Sequence, residues 1–322
     1  MIGLIYSGIN NIYQVRPVDG GDDVAQSQDV ILPYQAPTES FYECRIKGKI
    51  LKDSEPSYNP LAPGDLVVFE PSGEGQGLIH RRLERTNRFA RWNRKRENWQ
   101  TVAANLDLLV AVVAAGKPPF RPRFVDRVLI AAAQGGVKAA VLVNKIDQGL
   151  PEWGESRISA WEELDIPVYR SSAHTGEGME EIRALTAGKT VALFGPSGVG
   201  KSSVLNRLLP HIELATGGLS EKYDRGRHVT NFGRLLDAPW GARLVDTPGV
   251  REILVRGMSS ADLIHWFPEF SGLDEECSYS PCSHRHEPDC AVQDAVDDGR
   301  IHPDRFENYL RIRDELEEDE RW

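Results

Sequence analysis

The alternation of apolar and polar positions divides the chain into three parts. In the first part, residues 1–100, short β-branched or alternating runs such as GLIYSGI, FYECRIKGKIL and DLVVFE are separated by Pro and Gly. Runs of this length and composition predict about five short strands. This number of short strands suggests a small β-barrel, and the oligonucleotide-binding (OB) type is one that the size permits.

The second part, residues 101–258, alternates fully apolar runs with amphipathic ones. LDLLVAVVAA, AAVLVNKID and TVALFGPS have the pattern of buried strands, whereas RFVDRVLIAAAQGG, ISAWEELD and MEEIRALTAG have the pattern of helices. Such alternation is typical of a parallel sheet covered by helices on both faces, with ligands bound at the carboxyl ends of the strands. We therefore predict a multi-domain α/β protein with this sheet at its centre.

The third part, residues 259–322, is expected to be a small α-helical domain. It contains a short helical run, SADLIHWF, a group of Cys and His residues, and a charged run near 303–319 that predicts a helix.

Composition and charge limit the functions that the chain can have. The chain has 322 residues and a formal net charge of -10, which argues against indiscriminate nucleic-acid binding by the whole surface. The apolar runs are too short to span a membrane and the N-terminus has no basic leader, so we expect a cytoplasmic protein without a membrane partner. We also expect a monomer.

Positive charge is concentrated in one segment. Between Arg81 and Trp99 lie eight Arg or Lys residues and two Glu, interleaved with Phe89 and Trp92. Arginine favours phosphate contacts and aromatic rings favour base stacking, so this segment is a candidate RNA-binding surface. A solvated basic face without a ligand is the alternative.

A phosphate-binding motif lies between a predicted strand and a predicted helix. The pattern G-x-x-x-x-G-K-[ST] begins at Gly195 and ends with Lys201 and Ser202. In such loops the backbone amides surround the β-phosphate, the Lys neutralises phosphate oxygens and the hydroxyl binds Mg²⁺. An ordinary glycine-rich turn is the alternative. The candidate nucleotide-binding residues of this loop are Gly195, Pro196, Ser197, Gly198, Val199, Gly200, Lys201, Ser202 and Ser203.

The tetrapeptide DTPG follows the apolar strand ARLVD. Asp246 at the end of that strand is a candidate for holding the water shell of Mg²⁺, and the Gly249 amide is a candidate sensor of the γ-phosphate. An Asp-Pro-Gly turn is the alternative for the tetrapeptide taken alone.

A candidate guanine-reading box, NKID, ends another predicted strand. The Asp147 carboxylate can accept hydrogen bonds from guanine N1 and N2, which adenine cannot donate, and Asn144 and Lys145 complete the box. At the next strand end, in SSAHTG, the backbone amides of Ser172 and Ala173 are candidates for contacting guanine O6. A strand followed by a capped helix is the alternative for NKID alone.

The order of these motifs indicates a rearranged domain. In the common GTP-binding fold the Asn-Lys-x-Asp box follows the phosphate loop, whereas here it precedes the loop. The termini of compact domains are often close together, so joining them and opening the chain elsewhere preserves the site in a different order. We therefore interpret the centre as a circularly permuted P-loop GTPase domain.

With this motif order, the chain resembles the RsgA (YjeQ) family of GTPases over nearly its whole length. The resemblance is carried by RTNRFAR, NLD, NKID, SAHTGEG, GPSGVGKSS, GRH, DTPGVRE and CSYSPCSHRHEPDCAV. It implies an OB-type barrel, a permuted GTPase centre and a C-terminal zinc domain. It also implies late maturation of the small ribosomal subunit, with GTP hydrolysis to GDP and phosphate stimulated by that subunit and with its rRNA as partner.

The C-terminal Cys/His group has the composition of a metal site. Cys277-x4-Cys282-x-His284-x5-Cys290 offers three thiolates and an imidazole, a set typical of one structural Zn²⁺. His286 is an alternative fourth ligand, and the family resemblance places the ligand at His284. Reduced cysteines in a small core, without metal, are the other alternative.

Residues 215–233 are polar and glycine-rich, as expected of a mobile first switch. Thr230 is the candidate Mg²⁺ and γ-phosphate sensor in this switch. The family usually carries several threonines after GRH, whereas Val229 and Asn231 flank Thr230 here, so the register of the switch stays open.

The residue after Gly249 is Val250, which cannot orient an attacking water by hydrogen bonding. Unaided hydrolysis is therefore expected to be slow, and another group must help. His228 is the candidate within the chain, and a solvated or RNA-facing histidine is the alternative.

Together these features predict a GTP hydrolase that acts with the small ribosomal subunit. Two alternatives stay open: a nucleotide-gated RNA-binding module with incidental turnover, and a metal-handling GTPase whose cysteine cluster transfers zinc. Because DTPGVRE continues directly into the C-terminal part, we also hypothesise that γ-phosphate loss moves the zinc domain through this covalent link.

Overall fold

The computed structural model describes residues 1–18, 41–48, 59–212, 214 and 233–321. The first strands are β1 (Ile2–Ile9), β2 (Ile12–Pro17), β3 (Tyr42–Ile46), β4 (Leu66–Gly73) and β5 (Gln76–Arg82). They close into a barrel in the order β1-β2-β3-β5-β4, which confirms the predicted barrel. Its interior is filled by apolar side chains such as Ile5, Val15 and Phe69.

A hairpin follows the barrel and forms a two-stranded sheet of its own, β6 (Arg88–Asn93) and β7 (Asn98–Ala104). Phe89 of β6 is fully buried, and its ring centroid lies 4.7 Å from that of Phe194 in the core of the central domain. Residue 100 therefore lies inside a strand that belongs with the central domain. We propose that this domain begins at the hairpin rather than at residue 101.

The central domain alternates strands and helices as the apolar pattern predicts. The strands are β8 (Leu108–Ala114), β9 (Ala139–Asn144), β10 (Val168–Ser171), β11 (Thr190–Phe194), β12 (Arg234–Asp237) and β13 (Arg243–Asp246). The helices are α1 (Pro122–Gln134), α2 (Gly154–Glu162), α3 (Met179–Thr186) and α4 (Lys201–Leu208), with a 3-10 turn at Ile146–Gln148.

These strands form one sheet in the order β10-β9-β8-β11-β13-β12. All neighbouring pairs are parallel except β12 and β13, which are antiparallel because a short turn joins them. Helices cover both faces, as predicted. Leu109 and Val113 of β8 share a core with α1 and α2, whereas Val110 and Val112 share the opposite core with α3 and α4.

The C-terminal domain is helical, as predicted. SADLIHWF forms a 3-10 turn at Asp262–Trp266 instead of an α-helix, and a second turn covers Pro268–Phe270. Two α-helices follow, α5 (Ala291–Asp297) and α6 (Pro303–Glu320), so the predicted charged helix is confirmed. No helix in the described ranges is both long and apolar enough to cross a membrane.

A buried carboxylate joins α1, α2 and α6. Asp126 of α1 accepts hydrogen bonds from Arg157 and Trp161 of α2, at 2.5 and 2.9 Å, and from Arg305 and Asn308 of α6, at 2.7 and 3.0 Å. Burial by itself would raise the pKa of Asp126, but the two Arg residues outweigh it and hold this pKa below its ordinary value. The C-terminal helix is thus fixed to the central domain by its side chains.

Candidate functional site

The candidate phosphate loop connects β11 to α4, and its backbone carbonyls bind the side chain of Lys201 at the end of the loop. Lys201 begins α4, is 6% exposed, and donates from Nζ to the Gly195 and Pro196 carbonyls at 2.8 and 3.0 Å. A Cβ on Gly195 would lie 2.2 Å from the Val112 carbonyl oxygen, so only glycine fits there. Gly200 has a φ of 98°, which glycine adopts without strain. Ser202 and Ser203 lie in the first turn of α4.

Beside this loop lie two opposite charges that interact, the buried Lys201 and the half-buried Asp246. The two strands that carry the motifs are adjacent, with Leu193 of β11 opposite Asp246 of β13. Burial lowers the pKa of Lys201 to about 8, against the opposing effect of Asp246. Burial also raises the pKa of Asp246 to about 6, against Lys201 and Arg234. Among the described residues, Asp246 Oδ1 has no hydrogen-bond partner although it is buried.

The segment after Asp246 lies along the phosphate loop. Thr247 Oγ1 donates to the Leu193 carbonyl at 2.5 Å, and the Val250 amide donates to the Gly195 carbonyl at 3.4 Å. A Cβ on Gly249 would lie 2.8 Å from the Cα of Ser197, so the two loops touch at this point. Val250 is 6% exposed and offers no polar side chain to the site.

Asn144 connects three parts of the candidate site. Its Nδ2 donates to the Val199 carbonyl in the phosphate loop at 2.9 Å. Its Oδ1 accepts from the Ser171 hydroxyl and the Ala173 amide, both at 3.2 Å. Asn144 is fully buried, so these bonds satisfy a polar group that is shielded from water. The structure therefore brings NKID, SSAHTG and GPSGVGKSS together at one edge of the sheet.

The other residues of the box have separate partners. Lys145 Nζ donates to the carbonyls of Lys117 and Gly198, each at 2.7 Å. Asp147 is exposed, and its Oδ1 accepts from the Ser172 hydroxyl at 2.5 Å. The Ser172 amide donates to the Glu177 carbonyl within its own loop, so it does not point to a ligand in this structure.

Sequence reasoning did not predict the contacts of Ser171, Thr247 and Lys117, although Ser171 and Thr247 lie inside the motifs SSAHTG and DTPG. Their hydrogen-bond partners are far away in the chain, so no local pattern indicates these contacts. Two candidates, Thr230 and His228, lie outside the described residues.

The four candidate metal ligands lie together. The ligand atoms of Cys277, Cys282, His284 and Cys290 are all within 4.8 Å of one another. His284 Nδ1 is 3.3 Å from the Cys290 Sγ, and the Sγ atoms of Cys282 and Cys290 are 3.8 Å apart. All three cysteines are free thiols, and such a donor set matches tetrahedral Zn²⁺.

The surroundings of this cluster favour His284 over His286. His284 is 2% exposed, whereas His286 is exposed to solvent. The Glu287 carboxylate accepts from the amides of Ser283, Arg285 and His286 and shapes the turn between the ligands. His286, the alternative ligand, thus lies on the outside of that turn.

The basic segment begins at the end of β5, with Arg81 and Arg82, and continues through Arg85 into the β6–β7 hairpin and its turn. Phe89 is buried, so it cannot stack on a base, and the rings of Trp92 and Trp99 pack edge-to-face with centroids 5.6 Å apart. A cleft of about 450 Å³ lies between the hairpin and the segment after Val250. Its charged lining residues are Arg91, Arg94, Lys95, Arg96, Arg251 and Glu252.

Comparison with known proteins identifies the family. The RsgA GTPase family model matches residues 82–256. "Small ribosomal subunit biogenesis GTPase RsgA" of Borrelia recurrentis is 34% identical over 309 residues, which cover 96% of this chain and 92% of the relative. The protein of the same name from Gemmatimonas aurantiaca is 39% identical over 280 residues, which cover 85% of this chain and 90% of the relative.

Two solved structures have the same architecture. The crystal structure of YjeQ from Thermotoga maritima has a TM-score of 0.69 at 28% identity, with 98% of each chain covered. That of YloQ, a circularly permuted GTPase, has a TM-score of 0.66 at 23% identity, with 99% of this chain and 95% of that chain covered, and shows the shared fold. With the permuted motif order and the phosphate loop described above, these matches show that the chain belongs to the RsgA GTPase family and is a GTP hydrolase.

Proposed function

We propose that this GTPase acts in the late maturation of the small ribosomal subunit, binds that subunit and its rRNA, and hydrolyses GTP faster when bound to it. The observation that carries this proposal is the likeness to small ribosomal subunit biogenesis GTPases along 92% and 90% of their own lengths. The likeness therefore includes all three domains and is not confined to the nucleotide site. The same proposal includes a cytoplasmic monomer.

In the proposed nucleotide site, Asp147 selects guanine and the phosphate loop with Lys201 holds the phosphates. Two observations support these roles: Asn144 joins the base box to the phosphate loop, and the Lys201 ammonium is held at the start of α4. An ammonium there stabilises the negative charge that develops on phosphate oxygens. We assign the γ-phosphate contact to the Gly249 amide, because Gly249 touches Ser197 of the loop.

The residues beside Lys201 fit Mg²⁺. The buried Asp246 Oδ1, without a partner among the described residues, is an acceptor suited to the water shell of a cation, and Ser202 would supply a hydroxyl. Mg²⁺ would neutralise phosphate charge when bound. Thr230, outside the described residues, is proposed as its further ligand and His228 as the group that orients water, because Val250 has no polar atom on its side chain.

The Cys/His cluster fits one structural Zn²⁺ held by Cys277, Cys282, His284 and Cys290. Four protein ligands leave no open position for substrate, so a structural role is favoured over catalysis.

Two arginines and a lysine in the turn of the β6–β7 hairpin are proposed to contact rRNA phosphates, and this binding is expected to weaken as salt rises.

One experiment tests the proposal: GTP and ATP hydrolysis measured with and without purified small ribosomal subunits. We expect slow GTP turnover alone, a large acceleration by small subunits, and little ATP turnover in either case. Large subunits serve as the control for a general effect of RNA. If small subunits bind the protein without accelerating GTP turnover, the activation is refuted and the RNA-binding module with incidental turnover is favoured.

A further inference from the structure

The connection between β8 and α1 lies against the candidate guanine-reading box. We call residues 115–120 the strap. The Ala115 amide donates to the Asn144 carbonyl at 2.8 Å, and Phe120 at the far end packs on Trp161 with ring centroids 6.2 Å apart. The strap is therefore anchored in the domain core at one end and on β9 at the other. The position of its middle residue, Lys117, depends on side chains in and next to the box.

Both backbone polar groups of Lys117 have hydrogen-bond partners at the box: Lys145 within it and Gln148 directly after it. The Lys117 amide donates to Gln148 Oε1 at 2.8 Å, and the Lys117 carbonyl accepts from Lys145 Nζ at 2.7 Å. The same ammonium donates to the Gly198 carbonyl in the phosphate loop. Lys145 thus bridges the strap and the phosphate loop, and this bridge requires that the strap carbonyl stays in place.

Gln148 is the residue that holds the strap in that position. It follows Asp147 in the same 3-10 turn, Ile146–Gln148, so it is fixed relative to the guanine-reading carboxylate. A Cβ on Gly116 would lie 2.6 Å from Gln148 Cβ and 2.8 Å from its Oε1, so the side chain lies directly on the strap backbone. No other side chain among the described residues accepts from the Lys117 amide.

We propose that Gln148 is a positioning residue for guanine-nucleotide binding: it holds the strap against the box, and thereby keeps Lys145 in its bridge to the phosphate loop. This inference rests on the proposed guanine-reading role of the box. Among the described residues no hydrogen bond or ion pair joins Gln148 to Lys201 or Asp246, so Gln148 acts on nucleotide affinity and not on the hydrolysis step. An ordered bridge before binding reduces the entropy lost when the nucleotide binds.

The test compares two substitutions of similar size. Gln148→Met removes the acceptor, whereas Gln148→Glu keeps an oxygen at that position. We expect Gln148→Met to raise the Kd for GDP and the KM for GTP about two- to five-fold, the range of one partly exposed hydrogen bond, with kcat unchanged. Gln148→Glu should stay within about two-fold of the unsubstituted protein, because the Lys117 amide keeps its acceptor.

A second variant disturbs the same contact from the other side. Gly116→Ala should displace Gln148, raise KM in the same direction, and add little to the effect of Gln148→Met when both are combined. An unchanged Kd and KM in Gln148→Met would overturn the inference, as would a fall in kcat or in Tm that accompanies the rise in KM.

Asp147→Asn, measured in parallel, separates this inference from the one it rests on. If Asp147→Asn keeps its preference for GTP over ATP, the guanine-reading role of the box fails. If Asp147→Asn loses that preference while Gln148→Met binds GDP normally, only the role of Gln148 fails.

Discussion

Asn144 shows how a single side chain can join the parts of the candidate nucleotide site. Its amide has one donor on the Val199 carbonyl and one acceptor shared by Ser171 and Ala173, so it bonds to the loops that follow β10 and β11. A carboxylate of the same size would have no donor for Val199, and an aliphatic residue would leave three buried groups unpaired. This position therefore requires asparagine, because its side chain supplies both a donor for Val199 and an acceptor for Ser171 and Ala173.

At the same scale, Asp147→Asn is expected to lower the GTP-over-ATP preference in kcat/KM by about ten- to a hundred-fold. An amide presents a donor where the carboxylate accepts from guanine. Ser172→Ala is the matched control: it removes the hydroxyl that donates to Asp147 Oδ1 and accepts from the Thr175 amide, but it leaves the Asp147 carboxylate in place, so it should keep the preference for guanine. An unchanged GTP/ATP ratio in Asp147→Asn would refute guanine selection by this residue.

Gly249→Ala is expected to reduce kcat for GTP by about ten-fold or more while the Kd for GDP stays unchanged. The new Cβ would lie 2.8 Å from the Cα of Ser197, a backbone atom, so the segment must move away from the phosphate loop. Gly73→Ala, in the barrel, is the control, since its Cβ would meet nothing closer than 4.0 Å. Normal turnover in Gly249→Ala would contradict the assigned γ-phosphate contact.

At the scale of elements, the docking of α6 on α1 depends on charge as much as on apolar contact. Asp126 lies at the centre of this interface, and Arg123 and Arg127 of α1 pair with acidic residues of α6 around it. The outer pairs are partly exposed and contribute little, whereas the central carboxylate is shielded from water. The interface therefore depends on Asp126.

Asp126→Asn is expected to lower the free energy of unfolding by about 3 kcal/mol, because it leaves two buried Arg residues without a carboxylate at the centre. Glu307→Gln, which removes partly exposed pairs with Arg123 and Arg311, is the control and should cost less than about 1 kcal/mol. Chemical denaturation of each variant measures the difference. Equal losses in the two variants would contradict a central role for Asp126.

The same interface predicts a pH dependence. The pKa of Asp126 is held below its ordinary value in the folded chain, so its contribution to stability is complete above about pH 4 and is lost as the pH falls through the lower folded pKa. Between pH 5 and pH 3, we therefore expect Tm to fall more steeply in the unsubstituted protein than in Asp126→Asn. Parallel curves would show that Asp126 does not titrate with unfolding.

At the scale of the whole molecule, the C-terminal domain is connected to the nucleotide site at two places. The link after Gly249 is anchored by Ile253 in the core of the central domain and by Val255 in the C-terminal core. Helix α6 is anchored separately on Asp126. If γ-phosphate loss moves the C-terminal domain through the link alone, either the contact between α6 and Asp126 must break or α1 must move together with α6. The hypothesis of a moving zinc domain therefore requires free energy to disrupt this contact or to displace α1. Identical domain orientations in the GTP and GDP states, measured by solution scattering, would refute that hypothesis.

Loss of zinc is expected to unfold one segment and leave the remainder of the C-terminal domain folded. Residues 271–290 contain no helix or strand, whereas the rings of Phe267, Phe270 and Tyr309 also pack on one another, with centroids 4.8 to 5.4 Å apart. Cys290→Ser should abolish zinc retention and make this segment sensitive to protease, with GDP binding unchanged. Cys44→Ala is the control with full zinc content. Zinc exchange without local unfolding would instead favour metal transfer.

The sequence alone determined the permuted order of the motifs, and it marked the candidate phosphate loop, the candidate guanine-reading box and the Cys/His group. These features depend on the type and spacing of residues within short segments. They can therefore be recognised in the sequence without knowledge of the tertiary structure. Periodicity identified β8 as a strand buried on both faces, and the helices on both faces confirm it.

Only the tertiary structure decided the contacts between distant segments. The bond from Asn144 to Val199, the strap held by Gln148, the burial of Phe89 and the carboxylate of Asp126 between three helices each join residues that are far apart in the chain. Such contacts depend on how whole elements pack, and no local pattern encodes them. The antiparallel pairing of β12 with β13 has the same origin, because a short turn and a sheet edge, not the apolar pattern, set its direction.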